Sequence, residues 1–207
     1  MSQNKINKRF VYLISPNKIK NDYFYTDLNK VLSTKKVTFF QLRLKKETTK
    51  KKLLIGKKIK RICKKYKVKF LINDHPILAK QLNADGCHLG QKDMDIIKAR
   101  KILKNKIIGI TCHNSINLAK KAIKNKADYL AFGAFNSSKT KSIKYKANIK
   151  ILNTAKKITK IPIVAIGGIN LSNYKNLLLN KANFLAISGY IWNNKIYKPR
   201  EAIKKLK

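Results

Sequence analysis

Short apolar runs rich in β-branched and aromatic residues recur along the chain. They read VYLIS (11–15), FFQLRLK (39–45), VKFLIND (68–74), DGCHLG (85–90), IIGITCH (107–113), YLAFGAF (129–135), IPIVAIGG (161–168) and FLAISGYIW (184–192). Their length suits strands, and their near-continuous apolar character suits strands covered on both faces. Six of the seven intervening segments are long enough for a helix and are rich in Lys, Leu, Ile and Ala. In KKLLIGKKIKRICKKY (51–66) the helical period puts Leu54, Ile55, Lys58, Ile59 and Ile62 on one face and Lys on the other. HPILAKQLNA (75–84) reads as a shorter helix, and SINLAKKAIKNKA (115–127) aligns Leu118, Ala119, Ala122 and Ile123. Strand and helix alternating over eight strands predict an α/β fold, a single-domain (β/α)8 TIM barrel over residues 1–207, because parallel neighbours need a crossover helix. An open doubly wound sheet is the alternative. No GxGxxG or GxxxxGK turn follows an early strand, which counts against its nucleotide-binding forms.

Composition changes this picture little. The 44% apolar content supplies a core, so the high charge does not imply disorder. The longest apolar run, IPIVAIGGI (161–169), is far too short to span a bilayer, and the N-terminal apolar run VYLIS is too short for a signal peptide. Three cysteines, Cys63, Cys87 and Cys112, have no CxxC spacing, which favours a reducing, cytoplasmic setting over a disulfide framework or zinc site. The net charge of +40 invites nucleic acid. Only five of the 49 cations are Arg, however, and the Lys are spread over every predicted helix. Solvated Lys faces with non-specific nucleic-acid retention at low salt are therefore the expectation. The oligomeric state stays open, a homo-oligomer included.

Active sites of parallel barrels lie at the C-terminal ends of the strands. Those ends carry Gln41, Arg43 and Lys45, then Asn73 and Asp74, then Gly90, Gln91 and Asp93, then Thr111, His113 and Asn114. They continue with Ser138, Thr140 and Lys141, Gly167 and Gly168, and Ser188 and Gly189. Alternation along one strand would point Gln41, Arg43 and Lys45 to one side, where Arg and Lys suit an oligophosphate. Asp74 and Asp93, at the ends of adjacent strands, can converge on one Mg²⁺ together with substrate phosphate oxygens and waters. The competing reading makes Asp74 the cap of the helix at HPILAK and Asp93 the cap of one starting near Met94. Asp85 reads as turn chemistry at the opposite end of the barrel, and Asp95 as a first-turn helix carboxylate. Gly167-Gly168 and Ser188-Gly189, after strands seven and eight, suit a monophosphate. Cys87 and Cys112 read as core, His88 as a hydrogen-bonded core or near-site residue, and His113 as a rim residue at the end of its strand.

The motifs QLRLK (41–45), IND (72–74), ADGCHLGQKD (84–93), IGITCHN (108–114), ADYLAFGAF (127–135), KTK (139–141), VAIGGI (164–169) and ANFLAISG (182–189) together resemble the thiamine phosphate synthase family over nearly the whole chain. The resemblance implies Mg²⁺-dependent joining of hydroxymethylpyrimidine diphosphate to a thiazole phosphate, with loss of diphosphate. It implies that Gln41, Arg43, Lys45 and Asn73 hold the pyrimidine diphosphate and that Asp74 and Asp93 hold the metal. It places Thr111 near the pyrimidine, Thr140 and Lys141 at the diphosphate, with Ser138 in the same loop. Gly168, Ser188 and Gly189 take the thiazole phosphate. Arg43, Lys45, Thr111 and Lys141 are the implied catalytic residues. GAFNSSKTK (133–141) departs from the family's GPIFPTxTK in losing both prolines and replacing a Thr by Ser138, and ANF stands where the family has an acidic residue before strand eight. A thiazole tautomerase of the sister group is the alternative, from which Asp93 discriminates. A phosphate- or nucleic-acid-binding barrel without catalysis is another.

Overall fold

The computed structural model describes residues 9–136 and 145–207. Eight parallel strands pair in sequence order and close into a barrel: β1 (Val11–Ile14), β2 (Val37–Leu42), β3 (Lys69–Asn73), β4 (Gly86–Leu89), β5 (Ile107–His113), β6 (Tyr129–Gly133), β7 (Ile163–Ile166) and β8 (Phe184–Ile187). Closure is direct, with Val11 opposite both Val37 of β2 and Leu185 of β8. Around it run α1 (Tyr23–Leu32), α2 (Thr49–Lys65), α3 (Pro76–Gln81), α4 (Ile96–Leu103), α5 (Ile116–Lys124), α6 (Lys150–Ile158), α7 (Tyr174–Leu179), α8 (Gly189–Trp192) and α9 (Pro199–Lys205). Among the described residues no helix is long and apolar enough to cross a membrane.

Two cores follow from the alternation of strand side chains. The larger lies between strands and helices, where Leu13, Phe40, Phe70, Cys87, Ile108 and Phe132 meet Leu28, Ile59, Ala99 and Leu152. The smaller fills the barrel itself with Tyr12, Leu71, Tyr129, Ala131, Val164 and Ala186, flanked by Phe39 and Phe184. Gly109 makes room for this packing: a Cβ there would sit 1.8 Å from the Tyr129 ring. The three cysteines are buried and free, and burial pushes the Cys112 thiol up to about 12 and the other two further.

The N-terminal rim is stitched by a repeated device. In Asn83-Ala84-Asp85, Lys126-Ala127-Asp128 and Lys181-Ala182-Asn183 the first residue takes a left-handed turn after a helix and the Ala is buried. The third side chain accepts from a backbone N–H of the preceding strand. Asp85 takes Phe70 N at 2.8 Å, Asp128 takes Ile108 N at 2.7 Å and Asn183 takes Ile163 N at 2.9 Å. Each third residue also donates its own N–H to the carbonyl of the same partner, so β3–β4, β5–β6 and β7–β8 are tied in pairs. The expected turn at Asp85 is thus an inter-strand clamp, with Lys69 at 3.3 Å.

Several sequence expectations shift. The run 184–192 splits: the strand ends at Ile187 and GYIW forms α8, because Ile191 turns into the core and Trp192 Nε1 donates to Ile14 O. β2 ends at Leu42, so Arg43 and Lys45 lie beyond it. In α2 the buried line is Lys52, Ile55, Gly56, Ile59 and Cys63, while Leu54 is 59% exposed. The apolar face is therefore rotated by one position towards Gly56, where Leu82 packs against the bare backbone.

Candidate active site

At the C-terminal rim, β2, β3 and β4 deliver their polar ends side by side. Gln41 is buried, and its Nε2 donates to Asn73 Oδ1 at 2.8 Å, which locks two amides between neighbouring strands. One residue on, Asp74 takes φ +64, an uncommon conformation that Asp tolerates, while its N–H stays on His88 O at 2.8 Å. This turn swings the carboxylate over the rim, where Lys45 Nζ lies 3.2 Å away.

Asp93 approaches from the loop after β4, its Oδ2 accepting Gly90 N–H at 2.7 Å. Burial and the neighbouring Asp74, as hydrogen-bond partner and like charge, push the Asp93 carboxyl above its usual range, against the pull of Gly90 N–H and Lys45. Neither aspartate caps a helix. His75 stands at the N-cap position of α3, and α4 starts at Ile96, capped by Asp95 through Ile97 N at 2.8 Å. Asp95 is therefore a cap and not a first-turn residue. Side by side the two carboxylates repel each other, and Lys45 offsets that repulsion only in part, since Asp93 stays raised.

A metal fits this donor set. Among the described residues no three His, Cys, Asp or Glu come together as an all-protein cage. Mg²⁺ is commonly held by one or two carboxylates, with substrate phosphates and water completing its octahedron. Asp74 and Asp93 supply that number.

Arg43, Lys45 and Gln41 do not share one side as alternation in a longer strand would require. Gln41 faces β3 inside the barrel, while the half-buried Arg43 turns towards the end of β1. Its backbone N–H donates to Ser15 Oγ at 2.9 Å and its guanidinium to Asn17 Oδ1 at 3.2 Å. Among the described residues Arg43 faces no carboxylate within 4.0 Å, so its charge remains available to an anion. Lys52 was not legible as a rim residue. It is 9% exposed and lines a narrow cleft with Lys45, Asn73, Asp74 and Leu78.

On the opposite side, Thr111 ends the inward-facing part of β5. Its Oγ1 lies 2.8 Å from His88 Nε2, and its carbonyl accepts from Gln91 Nε2. His88 Nδ1 lies 2.8 Å from Tyr129 Oη, which in turn lies 2.8 Å from Tyr12 Oη. The two tyrosines were missed in sequence, although a phenol inside an apolar run, as in VYLIS and YLAFGAF, signals a polar handle that needs a partner. His113 turns away at φ +51 and packs its ring 4.3 Å from that of Tyr145. With Gln91, Asn114, Ser115 and Leu118 the two line an open pocket of about 260 Å³ beside α5.

After β7, Gly167 at φ +95 and Gly168 at φ +59 adopt backbone conformations that side chains resist. A Cβ on Gly167 would also lie 2.3 Å from Ala134 Cβ, so part of the need for glycine is the chain's own packing. After β8, Ser188 Oγ donates to Ser15 O at 3.0 Å, and Gly189 opens α8 with free space where a Cβ would project. Gly168, Ser188 and Gly189 thus border one side of the rim. Ser138, Thr140 and Lys141 lie outside the described residues.

Comparison with known proteins agrees with the geometry. Residues 11–191 match the family model described as thiamine monophosphate synthase. Over its full length the chain is 77% identical to all of a thiamine-phosphate synthase of Pelagibacter ubique. It is 42% identical to one of Nitrosomonas eutropha, over 76% of this chain and 74% of that one. Among solved structures, a thiamine phosphate pyrophosphorylase from Pyrococcus furiosus superposes with a TM-score of 0.84 at 30% identity, over 98% of this chain and 96% of the other. With that fold, that rim and those relatives, the chain belongs to the thiamine monophosphate synthase family.

Proposed function

We propose that this chain is a thiamine-phosphate synthase, a transferase that joins hydroxymethylpyrimidine diphosphate to a thiazole phosphate. The C–O bond between the pyrimidine methylene and diphosphate breaks, the thiazole nitrogen forms a C–N bond to that carbon, and diphosphate leaves. The observation that carries this reading is the convergence of Asp74 and Asp93 beside Lys45, next to the Gln41–Asn73 pair.

In this reading Asp74 and Asp93 would hold Mg²⁺, which when bound neutralises the leaving diphosphate. Lys45 would meet the same group, exchanging Asp74 for phosphate oxygen as substrate enters, and Arg43 would reach it from the β1 side by leaving Asn17. Gln41 and Asn73, rigid through their mutual bond, orient the pyrimidine side, and Thr111 presents its hydroxyl from across the barrel. Gly168, Ser188 and Gly189 would receive the thiazole phosphate with backbone N–H groups, the Ser188 hydroxyl turning from Ser15 O to a phosphate oxygen as it binds. Thr140, Lys141 and Ser138 belong to the same proposal by motif alone. Catalysis is then positioning and charge stabilisation without a protein nucleophile.

Incubation of the purified protein with both substrates and Mg²⁺, followed by fluorescent detection of thiamine phosphate, tests this. Product at a rate that scales with enzyme is expected. A folded protein that consumes neither substrate would overturn the assignment.

A further inference from the structure

Three contacts of 2.8 Å link Tyr12, Tyr129, His88 and Thr111 into one line from the barrel interior to the rim. The protons along it can be placed by elimination. Tyr12 and Tyr129 are 2% and 3% exposed, and burial raises both phenols so far that each keeps its proton. Among the described residues the Tyr12 hydroxyl has one hydrogen-bonding partner, Tyr129. A buried hydroxyl proton left without an acceptor is costly, so Tyr12 donates to Tyr129. Tyr129 then directs its own proton to its other partner, His88 Nδ1. Because Nδ1 accepts, the imidazole proton sits on Nε2 and is donated to Thr111 Oγ1. Thr111 receives a donor from behind and has its own hydroxyl proton to give forwards. The reverse order would leave the Tyr12 proton stranded among Phe39, Leu71 and Val164.

We propose that Tyr12, Tyr129 and His88 are positioning residues that form a one-way hydrogen-bond chain. It holds His88 as the Nε2–H tautomer and makes the Thr111 hydroxyl a donor to an acceptor atom on the substrate, such as a pyrimidine ring nitrogen. The substrate half of this statement rests on the functional reading above; the tautomer half does not. It also gives Thr111 a specificity role. A substrate presenting an N–H instead of a lone pair at that point would meet a donor and be rejected.

The test is the ¹⁵N NMR signature of His88 in protein labelled at histidine, assigned by its loss in His88→Asn and read without substrate. Wild type is expected to show the Nε2–H tautomer. Tyr12→Phe keeps it, since the Tyr129 proton still has Nδ1 to receive it. Tyr129→Phe removes the donor to Nδ1 and mixes or inverts the tautomer. The same variant is expected to lower kcat about tenfold with KM for the diphosphate substrate changed less than about twofold, as for one directed hydrogen bond lost in the transition state. An Nδ1–H tautomer in wild type, or an unchanged one in Tyr129→Phe, would overturn the chain. If Tyr129→Phe does not fold, the wild-type tautomer decides alone. A correct tautomer in a protein that makes no thiamine phosphate would sink the functional reading and leave the chain standing.

Discussion

The two rims of this barrel use the same residue type for opposite ends. At the N-terminal rim Asp85, Asp128 and Asn183 each accept a backbone N–H from a neighbouring strand, and Arg100 pairs with Asp128 at 2.7 Å. At the C-terminal rim Asp74 and Asp93 face each other, and Asp93 is raised by burial and by that proximity. Carboxylates at the bottom are satisfied by the chain itself; those at the top keep a mutual repulsion that Lys45 and the Gly90 N–H offset only in part and that a bound cation would relieve. In a chain with 49 cations and only nine carboxylates, this division shows where acidic groups are spent on stability and where on chemistry.

Substitutions at the two rims should therefore separate activity from stability. At the top, Asp93→Asn is expected to lower kcat/KM at least ~100-fold, about 2.7 kcal/mol of transition-state stabilisation. Its thermal midpoint without metal should equal or exceed that of wild type, because a repulsion has been removed. A large loss of stability would move Asp93 to the structural class. At the bottom, Asp128→Ala strands Ile108 N–H and unpairs Arg100, and about 1–3 kcal/mol of stability should be lost with kcat unchanged. Denaturant midpoints and initial rates on the same preparations read both quantities.

A smaller effect is expected at Asn183, which makes with a neutral amide the bond that Asp85 and Asp128 make with a charge. Asn183→Asp should add up to about 1 kcal/mol by making the bond charge-assisted, visible as a higher thermal midpoint. If it destabilises, the three clamps are not equivalent. The smallest signal concerns the thiols: none of the three should react with an aromatic disulfide reagent in the native protein, and all three should react after unfolding.

Much of this division was legible in the chain. Eight apolar runs with Lys-rich amphipathic segments between them prescribe a parallel barrel, since each run is covered on both faces. The pair Asp74 and Asp93 could be assigned to the rim because both follow strand runs. Strand ends were less legible. In QLRLK the alternation continues past Leu42, but Arg43 and Lys45 leave the ladder to reach Asn17 and Asp74, so periodicity overstated the strand. In FLAISGYIW the apolar run hid a helical turn, because Trp192 and Ile191 bury themselves as readily from a helix as from a strand. The Tyr12–Tyr129–His88 line was not legible, since its members are 41 to 117 residues apart and meet only when the barrel closes. Asp85 looked like a turn residue because an Asp before a Gly is common turn chemistry, whereas the mark its clamp shares with the other two is an Ala followed by Asp or Asn, at 84–85, 127–128 and 182–183.

The central claim is that the upper carboxylates work through a divalent cation. Its most direct test is the rate of thiamine phosphate formation by wild type with Mg²⁺, after EDTA, and after Mg²⁺ is restored, beside Asp93→Asn under the same conditions. The account predicts turnover that disappears with EDTA, returns with Mg²⁺, and stays at least ~100-fold down in the variant at every Mg²⁺ concentration near the wild-type requirement. Turnover that persists in EDTA, or a variant as active as wild type, would contradict it.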